Sequence, residues 1–379
     1  MNTKGKKKLY TKTITLPNGK RKYIRAVTKE DLEKKYQIIK AEIGAGIDVS
    51  SDVTVTELSQ TWYNVYKKPH LREGGRRGVL NVVNNWILPV IGTMKIRDVQ
   101  PVHIRQIMAT QSGMSKSLQA KTLQTLRGIF RAGVENHIIV KSPVPDSLKP
   151  AGKDTPEKVP LTTAQSQQLL RSLKGTRAYI CVAIMLGAGL RREEVCGLMW
   201  SDIDFTSSPA TITVNRARTF YKAAGELTSD LKSEAAHRTI PIPDWLTEAL
   251  RAECEGTTSL YVLHKQDGGP ITQISFKNMW AMIEARTTDD PKLLGKPIDP
   301  RHPQIKYGMD FHVYPHLLRH TCITRWFEAG IDVKAVQYMA GHATSAITLE
   351  IYGHYLEAQR QSITANLIRD SHVLAAVGI

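Results

Sequence analysis

PHLLRHT, residues 315–321, is the stretch from which the rest of this chain can be read. Pro315 stands where a helix starts, because its ring pre-sets φ and its missing N–H is not needed in the first turn. His316 and Arg319 follow at a three-residue spacing, which puts an imidazole and a guanidinium on one helical face, within reach of one phosphate. An HxxR pair alone is a weak signal in a chain with 12 histidines. Its weight comes from what stands around it. Upstream, GAGLRREEVCGL (187–198) offers Arg191 at an expected helix start, just after Gly187-Ala188-Gly189, where backbone N–H groups also face an anion. LKSEAAHRTIPI (231–242) offers Lys232 in a polar stretch before an expected strand. Downstream, MAGHA (339–343) puts His342 just past an expected helix end. TLEIYGHY (348–355) then carries Tyr352, with Tyr355 as the local rival.

Together these fragments supply two guanidiniums, an ammonium, two imidazoles and a phenol. That set suits attack on a phosphodiester by a protein hydroxyl without a metal. Charge builds on the phosphate oxygens as the attacking group arrives, and cationic donors stabilise it. Arginine fits because its planar fork holds two oxygens and stays protonated. An imidazole can donate or shuttle a proton near neutral pH. A lysine at a hairpin tip can protonate a departing alkoxide. A free phenol has a pKa of about 10, which neighbouring cations lower. Singly, each residue has a plainer reading: Arg191 as the partner of Glu193 or Glu194, the histidines as structural, Lys232 as solvated.

The bulk numbers agree. A chain of 379 residues is too long for one compact core, so two or three domains are expected. The formal net charge is +17 and the pI about 9.6, which points to a polyanionic partner, foremost nucleic acid. Cys181, Cys196, Cys254 and Cys322 stand far apart without a CxxC pair, which disfavours a zinc site and fits reduced thiols in a cytosolic protein. No apolar run approaches the roughly 20 residues of a membrane span, and the basic N-terminus lacks the apolar core of a signal peptide.

Along the chain, residues 1–50 read as a small sheet with one helix. LYTKTITL and KRKYIRAV alternate around Pro17-Asn18-Gly19, a hairpin signal. Thr28 and Asp31 then open a helix. Lys12, Lys20, Arg21, Lys22 and Arg25 make this module a candidate DNA grip. Residues 53–145 read as a bundle of about four helices. Its marks are the Thr54/Glu57 capping box, the stripe Val79, Val82, Val83, Trp86, Ile87, the helix opened by Pro101, and the stripe Leu123, Leu126, Ile129, Phe130. Lys116, Lys121, Arg127 and Arg131 fall between the apolar positions, so a cationic exterior is expected to lie along phosphates. Residues 146–160 are proline-rich and read as a linker. Residues 161–379 read as a mixed α+β domain with a C-terminal tail. Within it, RAYICVAIMLGAG is a buried helix, ATITVNRARTF and HRTIPIP are strands, and residues 285–310 are a polar surface loop.

At this point the motifs are similar to those of tyrosine recombinases, the phage-integrase family, and most like the integrases of conjugative transposons. The family's first arginine falls on Arg191, with Glu194 at its acidic position, and HxLRHT falls on His316 and Arg319. LGH becomes AGH with His342, and TxxIYxH becomes TLEIYGH with Tyr352. The family lysine, on a β-hairpin before RxIPL, picks out Lys232, although Lys222 and Arg238 lie in the same stretch. The resemblance covers about residues 53–375. It implies an arm-binding module (a three-stranded sheet plus helix), a helical core-binding domain and a catalytic domain.

The resemblance further implies that Tyr352 attacks a scissile phosphate to form a 3′-phosphotyrosine while Arg191 and Arg319 clamp the non-bridging oxygens. Lys232 would protonate the 5′ leaving oxygen, His316 would assist proton transfer on the tyrosine, and His342 would hydrogen-bond the phosphate. No ATP, metal or other cofactor is needed, since the covalent link conserves the bond energy. The implied partners are duplex DNA at element ends and target site, a homo-tetramer on that DNA, and a small excision or directionality factor. The implied location is the bacterial cytoplasm, on the nucleoid. The tail after Tyr352 would pack against a neighbouring subunit. A type IB topoisomerase or a non-catalytic basic DNA binder are the competing readings.

Overall fold

The structure is a computed structural model that describes residues 9–16, 19–47, 49, 52–154, 159–220, 225–228, 237–346, 348–353 and 355–357. The chain divides into two compact units, Met1–Pro156 and Glu157–Ile379, and the division falls inside the proline-rich stretch. The small N-terminal module and the helical segment both belong to the first unit.

In the first unit, β1 (Tyr10–Thr15) and β2 (Arg21–Ala26) pair antiparallel, with Tyr10 opposite Ala26 and Thr15 opposite Arg21. Among the described residues the sheet has these two strands, where the family resemblance implied three. Helix α1 (Lys29–Gly44) is capped by the Thr28 hydroxyl, which accepts from Asp31 N. None of its residues is fully buried; Ile39 and Ile43 lean on a minimal cluster of Leu16, Ile47 and Val49.

The helical part follows as α2 (Val55–Trp62), α3 (Glu73–Val82), α4 (Leu88–Ile91), α5 (Pro101–Thr110) and α6 (Lys116–Glu135). Thr54 and Glu57 form the reciprocal capping box at the start of α2, and Pro101 opens α5. The stripe anticipated from Val79 to Ile87 is not one regular helix. A π turn at Val83–Ile87 joins α3 to α4. Its wider turn alters the phase, so Val82, Val83 and Ile87 are buried while Val79 and Trp86 are only half-buried. Leu123, Leu126, Ile129 and Phe130 of α6 are buried as the apolar stripe required, packed with Val55, Leu58 and Trp62 of α2. Gly128 lets α6 approach α2: a Cβ there would lie 2.7 Å from Trp62 Cζ2.

In the second unit α8 (Arg177–Gly187) is the central element, preceded by α7 (Thr163–Leu173) and followed by α9 (Arg192–Gly197). Nine of the eleven residues of α8 are buried, which is why its sequence is apolar all round rather than striped. Strands β3 (Ile203–Asp204), β4 (Thr211–Val214), β5 (Ala217–Thr219), β6 (Glu226–Thr228) and β7 (Arg238–Pro241) form two antiparallel sheets, ordered β3-β4-β7 and β5-β6. Ile212 faces Ile240 and Val214 faces Arg238 across β4 and β7. Then come α10 (Asp244–Glu255), α11 (Gln273–Glu284), α12 (Pro315–Glu328) and α13 (Val333–Ala340), and residues 348–353 are again helical. Helices α7, α10, α11 and α12 all pack on α8.

The 285–310 segment, anticipated as a plain surface loop, is a folded excursion. Backbone bonds tie Thr288 N to Met309 O (2.8 Å), Gly295 N to Tyr307 O (2.9 Å) and Ile298 N to Ile305 O (2.9 Å). Gln168 of α7 holds its end through Gly308 O at 2.8 Å. Its backbone groups satisfy one another, which a polar composition does not reveal. Three of the four cysteines are buried, and all four are free thiols. Among the described residues no helix is long and apolar enough to cross a membrane.

Gly128→Val should overpack the α2–α6 contact and cost about 1–3 kcal/mol. Urea denaturation of the full chain measures this, and an unchanged midpoint would mean that Trp62 does not constrain that position.

Candidate active site

Arg191, Glu194, Arg238 and Arg319 come from three remote stretches of the second unit and meet around the C-terminal end of α13. Each is delivered by a local rule. Arg191 is the residue just before α9, and its backbone N–H is taken by Glu194 Oε2 at 2.8 Å, so a carboxylate in the first turn caps the helix. Arg319 lies on the inward face of α12. Arg238 opens β7, where the two-residue alternation turns Arg238 and Ile240 to the buried side.

Glu194 is the common partner. Its Oε1 takes Arg191 Nη1 at 2.7 Å and Arg238 Nη1 at 3.0 Å, and its Oε2 takes Arg238 Nη2 at 2.8 Å. The Glu194 side chain is 3% exposed and that of Arg238 0%, whereas Arg191 keeps 29%. Burial alone would raise the Glu194 pKa; the hydrogen bonds and charge of Arg238, then Arg191 and Arg319, override it and hold the group at about 2.

Helix α13 closes the arrangement. Gly341 ends it in the left-handed conformation (φ +62°), and a Cβ there would also lie 2.9 Å from Arg238 Nη1, so glycine is required twice over. The N–H groups of Gly341 and His342 return to Tyr338 O (2.9 Å) and Gln337 O (3.2 Å). The next three carbonyls each receive a guanidinium from a different segment. Arg238 Nε reaches Met339 O (2.7 Å), Arg319 Nη2 reaches Ala340 O, and Arg191 Nη2 reaches Gly341 O (2.6 Å). Arg319 Nη1 also donates to Gly189 O at 2.6 Å, a carbonyl presented by another left-handed glycine. The negative end of a helix dipole thus gathers three cations whose own repulsion it helps to offset.

The balance is cationic, three guanidiniums against one carboxylate. Arg319, 3% exposed, has its pKa lowered to about 9, by burial first and then by the charge of Arg191. His342 is 6% exposed and its pKa falls from 6.5 to about 4, again through burial, then Arg319, Arg191, Arg238 and His316. A buried excess of positive charge with one arginine still open to solvent is a site built for an anion.

His342 is held on both nitrogens, Nε2 to Arg319 Nη2 (3.1 Å) and Nδ1 to Thr348 Oγ1 (2.8 Å). His316 lies exposed in the first turn of α12. Tyr352 is half-buried against Phe327 of α12, ring centroids 5.0 Å apart, with Tyr355 at 6.2 Å. Phe327 is on the same face as Arg319, two turns further on, about 12 Å along the axis. Among the described residues no hydrogen bond or ion pair joins Tyr352 to Arg191 or Arg319. The structure therefore brings Arg191, Arg319 and His342 together and leaves Tyr352 along the face of α12. Lys232 lies outside the described residues.

Arg238 and Thr348 escaped the sequence reading, Arg238 having been weighed only as a stand-in for the lysine. The available signal was the alternation of Arg238-Thr239-Ile240-Pro241, which makes Arg238 inward-facing and so in need of a buried acid. The candidate DNA-binding cations divide by what they hold. Lys12 pairs with Glu33 (2.8 Å) over the Tyr36 ring, Lys22 donates to Val49 O (2.6 Å), Lys116 pairs with Asp154 (3.0 Å) and Arg127 donates to Leu148 O (3.0 Å). Arg21 and Arg25 are exposed with Tyr23 on the outer face of the hairpin, and Lys20 and Lys121 are exposed as well.

Residues 160–359 match the model of the phage integrase family, and residues 54–110 match the model of the phage integrase N-terminal SAM-like domain. A tyrosine recombinase XerC-like protein of Caldanaerobacter subterraneus is 26% identical over 396 residues, covering 96% of this chain and 97% of its own. The transposase of transposon Tn916 from Enterococcus faecalis is 24% identical, with coverages of 90% and 83%. Among solved structures, the Tn1549 transposon integrase in complex with transposon right end DNA aligns with a TM-score of 0.64 at 22% identity, over 82% of this chain and 100% of that one. A lambda integrase tetramer bound to a Holliday junction aligns at 0.56 with 14% identity, over 90% and 94%.

Glu194→Ala leaves the buried Arg238 and Arg319 and the partly open Arg191 without their counter-charge and should cost about 3–5 kcal/mol in urea denaturation; an unchanged midpoint would contradict the network. As pH falls from 6.5 towards 4 the unfolded chain takes up the His342 proton before the folded one, so the stability this group allows is lost across that window. Glu194 keeps its contribution above pH 4.5 and loses it as pH falls towards 2. His342→Asn should therefore flatten the decline in melting temperature between pH 6.5 and 4 and leave the steeper fall below it.

Proposed function

The chain belongs to the phage integrase family, and on that premise we propose that it is a site-specific tyrosine recombinase that integrates and excises a mobile element, of the conjugative-transposon kind. It cuts and rejoins duplex DNA through a 3′-phosphotyrosine. The observation that carries this reading is the convergence of Arg191 and Arg319 beside His342 in a cluster with surplus positive charge, on the same unit as Tyr352.

In the proposed reaction the scissile phosphate takes the open side of Arg191 and the N–H groups of Arg319, replacing part of their hold on backbone carbonyls. His342 hydrogen-bonds a phosphate oxygen, and His316, at the exposed start of α12, assists proton transfer from the phenol. Tyr352 moves along the α12 face from Phe327 to the phosphate, attacks in line, and expels the 5′ oxygen, which Lys232 protonates. The reverse attack by a 5′ hydroxyl reseals the strand, so the bond energy is conserved.

The domain assignment proposed with it is an arm-binding module over 1–50, a core-binding domain over 53–145, a linker over 146–160 and a catalytic domain with its tail over 161–379. Arg21 and Arg25 on the outer hairpin face, and Lys121 on α6, are the cations proposed to meet phosphates, and Lys20, exposed at the turn, joins them by giving up an interaction it already makes. Lys12, Lys22, Lys116 and Arg127 would do so only by exchanging the partners they hold. Since a related integrase is a tetramer on a Holliday junction, four copies are proposed to act together on two duplexes in the cytoplasm, with a small directionality factor favouring excision. A non-catalytic DNA binder would have no use for the buried arginine cluster, and a topoisomerase would relax supercoils without site dependence.

Tyr352→Phe should abolish covalent capture of a nicked duplex carrying an element end, read as a shifted band on a denaturing gel, while gel-shift affinity for the same duplex is retained. Persistent adduct in this variant would move the nucleophile to Tyr355 or elsewhere.

A further inference from the structure

We infer that Thr348 is a positioning residue for this reaction: its hydroxyl fixes the orientation and tautomer of His342 and ties that imidazole to the helical segment carrying Tyr352. The inference rests on the recombinase reading for its function, but its geometry stands apart from it.

A guanidinium has donors and no acceptor. The 3.1 Å contact between Arg319 Nη2 and His342 Nε2 therefore makes Nε2 the acceptor. The ring of a neutral imidazole then carries its proton on Nδ1, which donates to Thr348 Oγ1 at 2.8 Å. Thr348 is 0% exposed, so no bulk water competes for that bond. Within the helical residues 348–353, Thr348 and Tyr352 are four apart and share a face one turn from each other.

The imidazole is thus gripped from two elements. Arg319 reaches it from α12, and Thr348 from the helix of the candidate nucleophile. A phosphate that draws the Arg319 N–H away frees Nε2 to take up a proton and donate it in a hydrogen bond to a phosphate oxygen, and Thr348 Oγ1 accepts from Nδ1 whether the ring is neutral or protonated. The ring need not rotate between the two states. Conversely, moving the Tyr352 segment moves the hydroxyl, so the orientation of His342 reports where the nucleophile's helix sits. Thr348 itself touches neither the phosphate nor the phenol's attacking oxygen in this scheme; it acts through His342.

Two substitutions separate the hydroxyl from the packing. Thr348→Val keeps the β-branched shape and removes the acceptor, whereas Thr348→Ser keeps the acceptor. In the full chain without DNA, 15N spectra of the His342 ring, assigned by difference with His342→Asn, should show a protonated Nδ1 and a bare Nε2 in wild type and Thr348→Ser, and a mixture of tautomers in Thr348→Val. On a nicked duplex first isolated by covalent capture with wild-type protein, Thr348→Val should form the tyrosyl adduct about 10–100-fold more slowly, the scale on which metal-bound histidines respond to loss of an orienting partner, with unchanged DNA affinity; Thr348→Ser should restore most of the rate. A wild-type ring spectrum or a wild-type adduct rate in Thr348→Val would overturn the role of Thr348 alone. Failure of wild-type protein to form any adduct would instead overturn the recombinase reading, leaving the ring spectra to decide the contact.

Discussion

The structure of the second unit depends on one buried carboxylate. Glu194 sits among Arg191, Arg238 and Arg319, and without it three neighbouring guanidiniums, two of them buried, would have no counter-charge. Ion pairs of this kind are poor sources of net stability, because desolvation offsets much of the Coulomb gain. They are effective at something else. A carboxylate that accepts a bidentate arginine and also caps its own helix has almost no freedom left, so the cations around it are fixed as well.

The three carbonyls at the end of α13 complete that constraint. Each takes an arginine from a different segment, so α9, β7 and α12 are registered against one helix terminus. The same interactions that place the arginines also leave the cluster with surplus positive charge. Arg319 feels it as a pKa drawn down to about 9, and His342 as one drawn down to about 4. An incoming phosphate relieves both. The arginine donors rest on backbone carbonyls, which are weaker acceptors than a charged oxygen.

The candidate nucleophile is placed differently. Tyr352 rests on Phe327 in a small aromatic cluster and is joined to the arginine site through Thr348 and His342 rather than directly. In the cationic half of the site Arg238 and Arg319 are buried among their partners while Arg191 keeps one side open. The phenol lies on a half-buried segment with few polar ties.

The N-terminal hairpin shows how far sequence patterns reach. Its turn, strands and helix cap were legible because Asn-Gly, alternation and a threonine N-cap are local rules. The same alternation already separated Arg21 and Arg25, on the outer face, from Lys22 on the inner one, and counting all basic residues as one surface overlooked it. In α3 the apolar stripe identified the helix but not the π turn, since one extra residue in a turn is decided by what the far side packs against. For the site, the residue types of Arg191, His316, Arg319, His342 and Tyr352 and their order were readable from short motifs. What only the tertiary structure decided is which of them touch: Arg238 and Thr348 became part of the site because β7 and the last helical segment fold against α13 and α12. A sequence determines local geometry through bonds between near neighbours. Contacts across 44 or 101 residues, such as Arg238 to Glu194 and to Met339, depend on where the core lets each chain segment close.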